Sequence, residues 1–187
     1  MTAFDERTYK VFKGSDDFNY RGVQADLRIP FDLKVEQDYD YSNWYIGFTD
    51  MFGNQVETGI SYSKKYSQAR PKAPRFICFF NANGTNPYHE VLRRQPVCGD
   101  IMNLRLINNG RGQVAFYLNC GLVTIQSCVV DDLVQVKLVH GSQGAVCAYR
   151  GAEFRAARYM DEAGLWRAWD SEYEEDWETG SGISPIT

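Results

Sequence analysis

The sequence has little with which to hold a metal or build a histidine-based catalytic centre. Only His89 and His140 are present, and neither has a cysteine or a second histidine at ligand spacing. That leaves no zinc motif, and no cofactor is expected. The five cysteines, Cys78, Cys98, Cys120, Cys128 and Cys147, are odd in number and include no Cys-x-x-Cys pair. Most sit in apolar stretches, as buried free thiols do; one or two disulfides are the alternative. No run of about 18 apolar residues occurs, so no helix is expected to span a membrane. Basic residues are not in excess: 20 Lys and Arg face 24 Asp and Glu, for a net charge of −4. Nucleic-acid binding, which needs a basic footprint, is therefore not expected. The first residues, Met1 to Arg7, lack the basic and apolar regions of a signal peptide. A cytoplasmic protein is the expectation, with a secreted form through a removed leader left open.

What the chain does have is period-two alternation. From Val23 to Val35, Val23, Ala25, Leu27, Ile29, Phe31, Leu33 and Val35 alternate with polar residues and Pro30. This is one long strand with one face buried, or two strands joined at Pro30, which cannot donate to a ladder. Further strands are predicted at Arg7–Lys13, Asn43–Thr49, Gln55–Ser63, Arg75–Asn81, Asp100–Asn108, Gln113–Asn119, Leu122–Ser127, Leu133–His140 and Ala145–Arg150. Turn chemistry separates them at Asn108-Asn109-Gly110-Arg111-Gly112, at Asn119-Cys120-Gly121 and at His140-Gly141-Ser142-Gln143-Gly144. Many short strands with regular turns point to an all-β sandwich or barrel.

The pattern changes after Gly151. Trp166, Trp169, Tyr173 and Trp177 recur at spacings of three and four, opposite a face rich in Asp and Glu. This spacing predicts an amphipathic helix. Its aromatic stripe would cover a face of the sandwich or dock a protein partner. The expected organisation is a β-sandwich over residues 1–150, a helical appendage over 151–178 and a flexible tail over 179–187.

Asn43-Trp44-Tyr45-Ile46-Gly47-Phe48 is followed, after a loop, by Val56-Glu57-Thr58-Gly59-Ile60-Ser61-Tyr62. A Trp-x-x-Gly strand and then a polar residue before Thr-Gly resemble the first half of the glutamic peptidases, or eqolisins. The likeness continues in order through Arg75–Phe80, Gly99-Asp100 and the hairpin Gln113–Ser127, so it covers residues 43 to 127. The resemblance implies an antiparallel two-sheet jelly-roll sandwich of the concanavalin A-like kind. In that family a glutamine before Thr-Gly works with a glutamate on a later strand. This chain departs from both. Glu57 stands in place of the glutamine, and Ala152-Glu153-Phe154-Arg155-Ala156-Ala157 offers Ala157 where the glutamate is expected. A carboxylate at Glu57 cannot donate the amide hydrogen bonds of an oxyanion site unless it is protonated.

The functional expectation is ligand recognition on the concave sheet face, for a carbohydrate or peptide-like ligand. Trp44 and Phe79 would stack on it, Glu57 and Arg75 would orient its polar groups, and Tyr62 would line the site. The alternative is a hydrolase with Glu57 as acid or base, paired with Glu153 or Glu90. A third reading is an interaction module working through the Trp-rich helix. Smaller candidates are the run Asp38 to Tyr45, as a sugar platform, a calcium loop or a plain surface loop with Trp44 in the core. Arg150, Arg155 and Arg158 near Glu153 form a candidate anion site, or solvated surface charge. His140 and His89 are candidates for catalysis on geometry alone.

Overall fold

The computed structural model describes residues 6–14, 18–65, 72–83, 85–128, 130, 132–143, 148–150, 153–169 and 174–177. Among them the chain forms β1 (Glu6–Gly14), β2 (Gly22–Arg28), β3 (Phe31–Lys34), β4 (Tyr41–Asp50) and β5 (Gln55–Ser63). There follow β6 (Arg75–Ala82), β7 (Thr85–Val91), β8 (Ile101–Gly110), β9 (Gln113–Leu118) and β10 (Gly121–Ser127). The last are β11 (Leu133–Gln143), β12 (Ala148–Arg150), β13 (Glu153–Met160), β14 (Trp166–Ala168) and β15 (Glu174–Trp177). Two main sheets result, seven strands in the order β15-β1-β11-β4-β5-β6-β7 and six in the order β10-β9-β8-β2-β13-β14.

The sandwich follows from alternation. Val23, Ala25 and Leu27 of β2, Leu104 and Leu106 of β8, and Val114 and Phe116 of β9 are fully buried. They meet Trp44, Ile46 and Phe48 of β4, Val56 and Ile60 of β5, and Val136 and Leu138 of β11. Side chains of one sheet interdigitate with those of the other because every second residue of each strand is apolar. Pro30 divides the long alternating run into two strands. β2 stays in the six-stranded sheet, while β3 leaves it to pair with β12 in a separate ribbon.

The expected C-terminal helix is overturned. Residues Glu153–Met160 pair with β2 inside the six-stranded sheet, and Trp166–Ala168 adds the next strand. β15 pairs with β1 at the edge of the other sheet, where Trp177 lies opposite Tyr9. The reason is a β-bulge. Ala156 has a φ of +48°, and the register slips between Arg155 and Arg158. Phe154, Ala157 and Tyr159 therefore all pack on the core. A bulge that inserts one residue into a strand converts a period of two into spacings that imitate a helix. The aromatic stripe is dispersed as well. Trp166 stands on β14 and Trp169 packs against the core, and Tyr173 and the tail 179–187 lie outside the described residues.

Two further differences are local. β7, Thr85–Val91, was not among the strands expected from the sequence. β11 runs on to Gln143, through the glycine expected to turn it, since Gly141 and Ser142 keep partners on both neighbouring strands.

His140 lies on the core side of β11, with its ring 4.9 Å from that of Phe154. It is removed from solvent and takes no place on an open face. Burial pushes its pKa from 6.5 down to about 3. Because the folded value is the lower, the unfolded chain binds the extra proton. The associated stability is complete above pH 6.5 and declines as pH falls towards 3. Between pH 7 and 5 the protein should lose about 2 kcal/mol more than His140→Phe does, measured from denaturant midpoints. Equal losses would show that His140 is not held neutral.

Candidate functional site

The other face of the seven-stranded sheet carries the candidate site. Val56 and Ile60 point into the core, so Gln55, Glu57, Gly59, Ser61 and Ser63 point away from it. Register builds rows across the strands. One row reads Lys137, Gly47, Glu57 and Asn81. The next reads Val139, Tyr45, Gly59, Phe79 and His89. A third reads Gly141, Asn43, Ser61, Ile77 and Val91. Access lies at the Glu57 end, where Gln55 is exposed and Glu57, Asn81, Tyr45 and Phe79 are half-buried. Ser61, Ile77 and Val139 are buried.

The centre of the site is an ion pair. Lys137 Nζ donates to Glu57 Oε1 at 2.6 Å and also to Gln55 Oε1. The Lys137 side chain is only 5% exposed and that of Glu57 20%. The two residues are two strands apart, with β4 between them. Gly47 makes the contact possible: a Cβ there would lie 2.9 Å from Lys137 Cε and 2.7 Å from the Val56 carbonyl oxygen. The lysine stem thus crosses β4 over a residue with no side chain. Gly59 does similar work one row along, where a Cβ would lie 2.1 Å from the Trp44 carbonyl oxygen. Beside it the rings of Tyr45 and Phe79 meet edge to face, with centroids 5.9 Å apart. Two acceptors on this face stay unmet: Asn43 Oδ1 and Asn81 Oδ1 are buried with no hydrogen-bond partner among the described residues.

The residues expected to form one site fall in three places. Glu57 and Phe79 share the open face. Trp44 is fully buried between the sheets, on the opposite face of β4, so it cannot stack on a ligand there. Tyr62 also points to the core side, its ring 4.7 Å from that of Phe76. Tyr62 and Arg75 line a pocket of about 550 Å³ with Pro74, Phe76, Gln95 and Pro96. Tyr62 is five residues along β5 from Glu57, and Arg75 six along β6 from Asn81 opposite it, roughly 16 to 20 Å at the rise of a strand. Glu153 is in the other sheet, bound by Arg155 at 2.6 Å. Glu90 accepts the Tyr88 hydroxyl at 2.7 Å and lies opposite Cys78. Neither carboxylate faces Glu57. Among the described positions on this face of β4, β5, β6, β7 and β11, Glu57 is the one carboxylate. Lys137 was missed in the sequence, although a lysine alternating with Val136 and Leu138 was the available signal. In the run Asp38 to Tyr45, Asp40 caps the Gln37 amide at 2.9 Å, and Trp44 belongs to the core. No cluster of three or more His, Cys, Asp or Glu suited to a metal occurs among the described residues.

No family model matches this sequence, and no curated protein matches it either. Solved structures do match. The neighbours include eqolisin glutamic peptidases, which have a β-sandwich fold. One is Scytalido-glutamic peptidase with a peptide-based transition-state analog, at a TM-score of 0.55 and 10% identity. The match covers 91% of this chain and 89% of that one. Another is SCP-B, of the eqolisin family, in complex with the tripeptide Ala-Ile-His, at a TM-score of 0.52 and 12% identity. It covers 91% of this chain and 89% of that one. At such identities the likeness is one of fold.

The burial of the ion pair sets an asymmetry. Glu57→Ala strands a buried ammonium with one carboxamide and should cost about 3 kcal/mol. Lys137→Met keeps the stem over Gly47 and leaves a carboxylate with some access to water, so it should cost less than half as much. Equal losses in denaturant titrations would mean that Lys137 does not depend on Glu57.

Proposed function

We propose that the protein is a recognition sandwich that holds a peptide-like segment on the Glu57 face and does not hydrolyse it. The observation that carries this reading is the row Lys137, Gly47, Glu57 and Asn81. It holds a neutralised carboxylate next to a buried, unmet acceptor. Acid–base hydrolysis by two carboxyl groups needs a second one across a water-filled gap, and here a lysine ammonium holds Glu57 instead. An unmet carboxamide oxygen calls for a donor, and peptide N–H groups supply donors at regular intervals. Tyr45 and Phe79 add apolar ring surface in the next row, as binding sites commonly do. The peptide complexes of the two eqolisin neighbours support the choice of ligand class. Tyr62 and Arg75, in the pocket at the far end of β5 and β6, would serve a longer ligand only.

The test is a short-peptide library with binding and cleavage both recorded. Glu57→Gln should weaken the best peptide about tenfold, the worth of one charge-assisted hydrogen bond. Asn81→Ala should weaken it as well while leaving stability equal or higher, because it removes an unmet buried acceptor. Peptide cleavage that disappears in Glu57→Gln would replace this reading with a hydrolase. Binding of neutral glycans alone, sensitive to the same two changes, would replace the peptide with a carbohydrate.

A further inference from the structure

The outer face of the six-stranded sheet carries a second constellation, independent of Glu57. Register again gives rows. One runs Trp166, Met160, Gly22, Ile107, Ala115 and Ile125. The next runs Ala168, Arg158, Gln24, Arg105, Tyr117 and Leu122. The Trp166 indole does not stay on its edge strand. A Cβ on Gly22 would come within 3.0 Å of the indole Cη2, so the ring reaches across β13 to lie at β2. The Arg105 guanidinium, on the next strand, is 5.8 Å from the ring centroid.

The polar groups around this ring are held in place. Arg105 Nε donates to Gln24 Oε1 at 3.0 Å, a neutral partner that leaves its charge uncompensated. Arg158 lies across Gln24 from Arg105, exposed and with no ion pair among the described residues. The bulge at Ala156 is what turns Arg155 and Arg158 to the same side. Asn103 Nδ2 donates to Asp26 Oδ1 at 2.8 Å, while Asn103 Oδ1 is buried and unmet among the described residues. Arg28 and Arg155 are both occupied by Glu153, at 3.8 and 2.6 Å. Four arginines thus share this face with two carboxylates, in a chain whose net charge is −4. Glu153 can balance only one of Arg28 and Arg155, and Asp26 lies one row from Arg105 and Arg158, so the excess positive charge is spread over the face, with Arg105 and Arg158 on either side of Gln24 and next to the indole.

We propose that this face binds an acidic saccharide. Trp166 offers its ring to the apolar face of a sugar, Arg105 and Arg158 take sulfate or carboxylate groups, and Asp26 with Asn103 takes hydroxyls. Arginine is suited to such oxyanions because its fork of donors matches their geometry. An aromatic face beside fixed amide and carboxylate groups matches a pyranose, which has an apolar side and a hydroxyl rim. An acidic peptide would satisfy the arginines but has no use for the ring flanked by hydroxyl-binding pairs.

The experiment is calorimetric titration of the whole protein with a sulfated oligosaccharide, its desulfated counterpart and a polyglutamate peptide of equal charge. The sulfated sugar should bind at least tenfold more tightly than either of the others, and added salt should weaken it. Trp166→Ala should abolish binding, and Arg105→Gln should weaken it about tenfold. Arg158→Gln should do the same; the side chain is exposed and makes no hydrogen bond or ion pair among the described residues, so that variant is expected to fold. No binding of the sulfated sugar, or indifference to Arg158→Gln in a folded protein, would overturn the proposal. So would equal binding of the desulfated sugar or of polyglutamate, the latter assigning the face to an acidic protein.

Discussion

The candidate site depends on one contact, a buried lysine that must cross a neighbouring strand to find its counter-charge. An ammonium removed from water is costly unless it is paired and hydrogen-bonded. Lys137 meets that requirement only through Glu57 and Gln55, two strands away. The requirement propagates. Position 47 must be glycine, because a Cβ would lie 2.7 Å from the Val56 carbonyl oxygen as well as 2.9 Å from the lysine stem. Glu57 must be an anion with no competing carboxylate beside it. The register of β11, β4 and β5 must hold, because a slip of one residue would turn Lys137 into the core. The same contact that orders the face pairs Glu57 with an ammonium and not with a second carboxyl group, which is the observation that supports the proposed recognition role.

The two faces of the sandwich solve the same problem in parallel ways. On each, a glycine lets a long side chain from one strand lie over another: Gly47 under Lys137, and Gly22 under Trp166. On each, buried carboxamide oxygens remain unmet among the described residues, Asn43 and Asn81 on one side and Asn103 on the other. Sheets present residues on a fixed grid, so an empty grid point is how a sheet brings distant side chains together. Charge distinguishes the faces. The Glu57 face is locally neutral, and the Trp166 face has an excess of arginine.

Much of the fold was legible in the sequence because most strands keep a strict period of two. Val23 to Val35 announced its buried face and allowed either one long strand or two joined at Pro30, and the Val56/Ile60 pattern placed Glu57 outward. The C-terminal strands were not legible because the bulge at Ala156 breaks the period of two in β13, and because Trp166 and Trp177 fall on separate strands of different sheets, so that their spacings in the sequence read as a helix. The site was legible only in part. The Trp-x-x-Gly and Glu-Thr-Gly strings located the right strands, but alternation puts Trp44 on the face opposite Glu57. Tyr62 is parity-matched to Ile60 and so shares its side. Lys137 could not be identified as the partner of Glu57 without knowing that β11 lies beside β4, a pairing between segments far apart in the chain.

The central claim, recognition without hydrolysis on the Glu57 face, is tested most directly by mass spectrometry. A proteome-derived peptide mixture would be incubated with the protein across acidic and neutral pH, and the retained and released species identified. The account predicts a retained set of intact peptides, smaller for Asn81→Ala, and no new termini at any pH. New termini that appear with the wild-type protein and vanish with Glu57→Gln would contradict it.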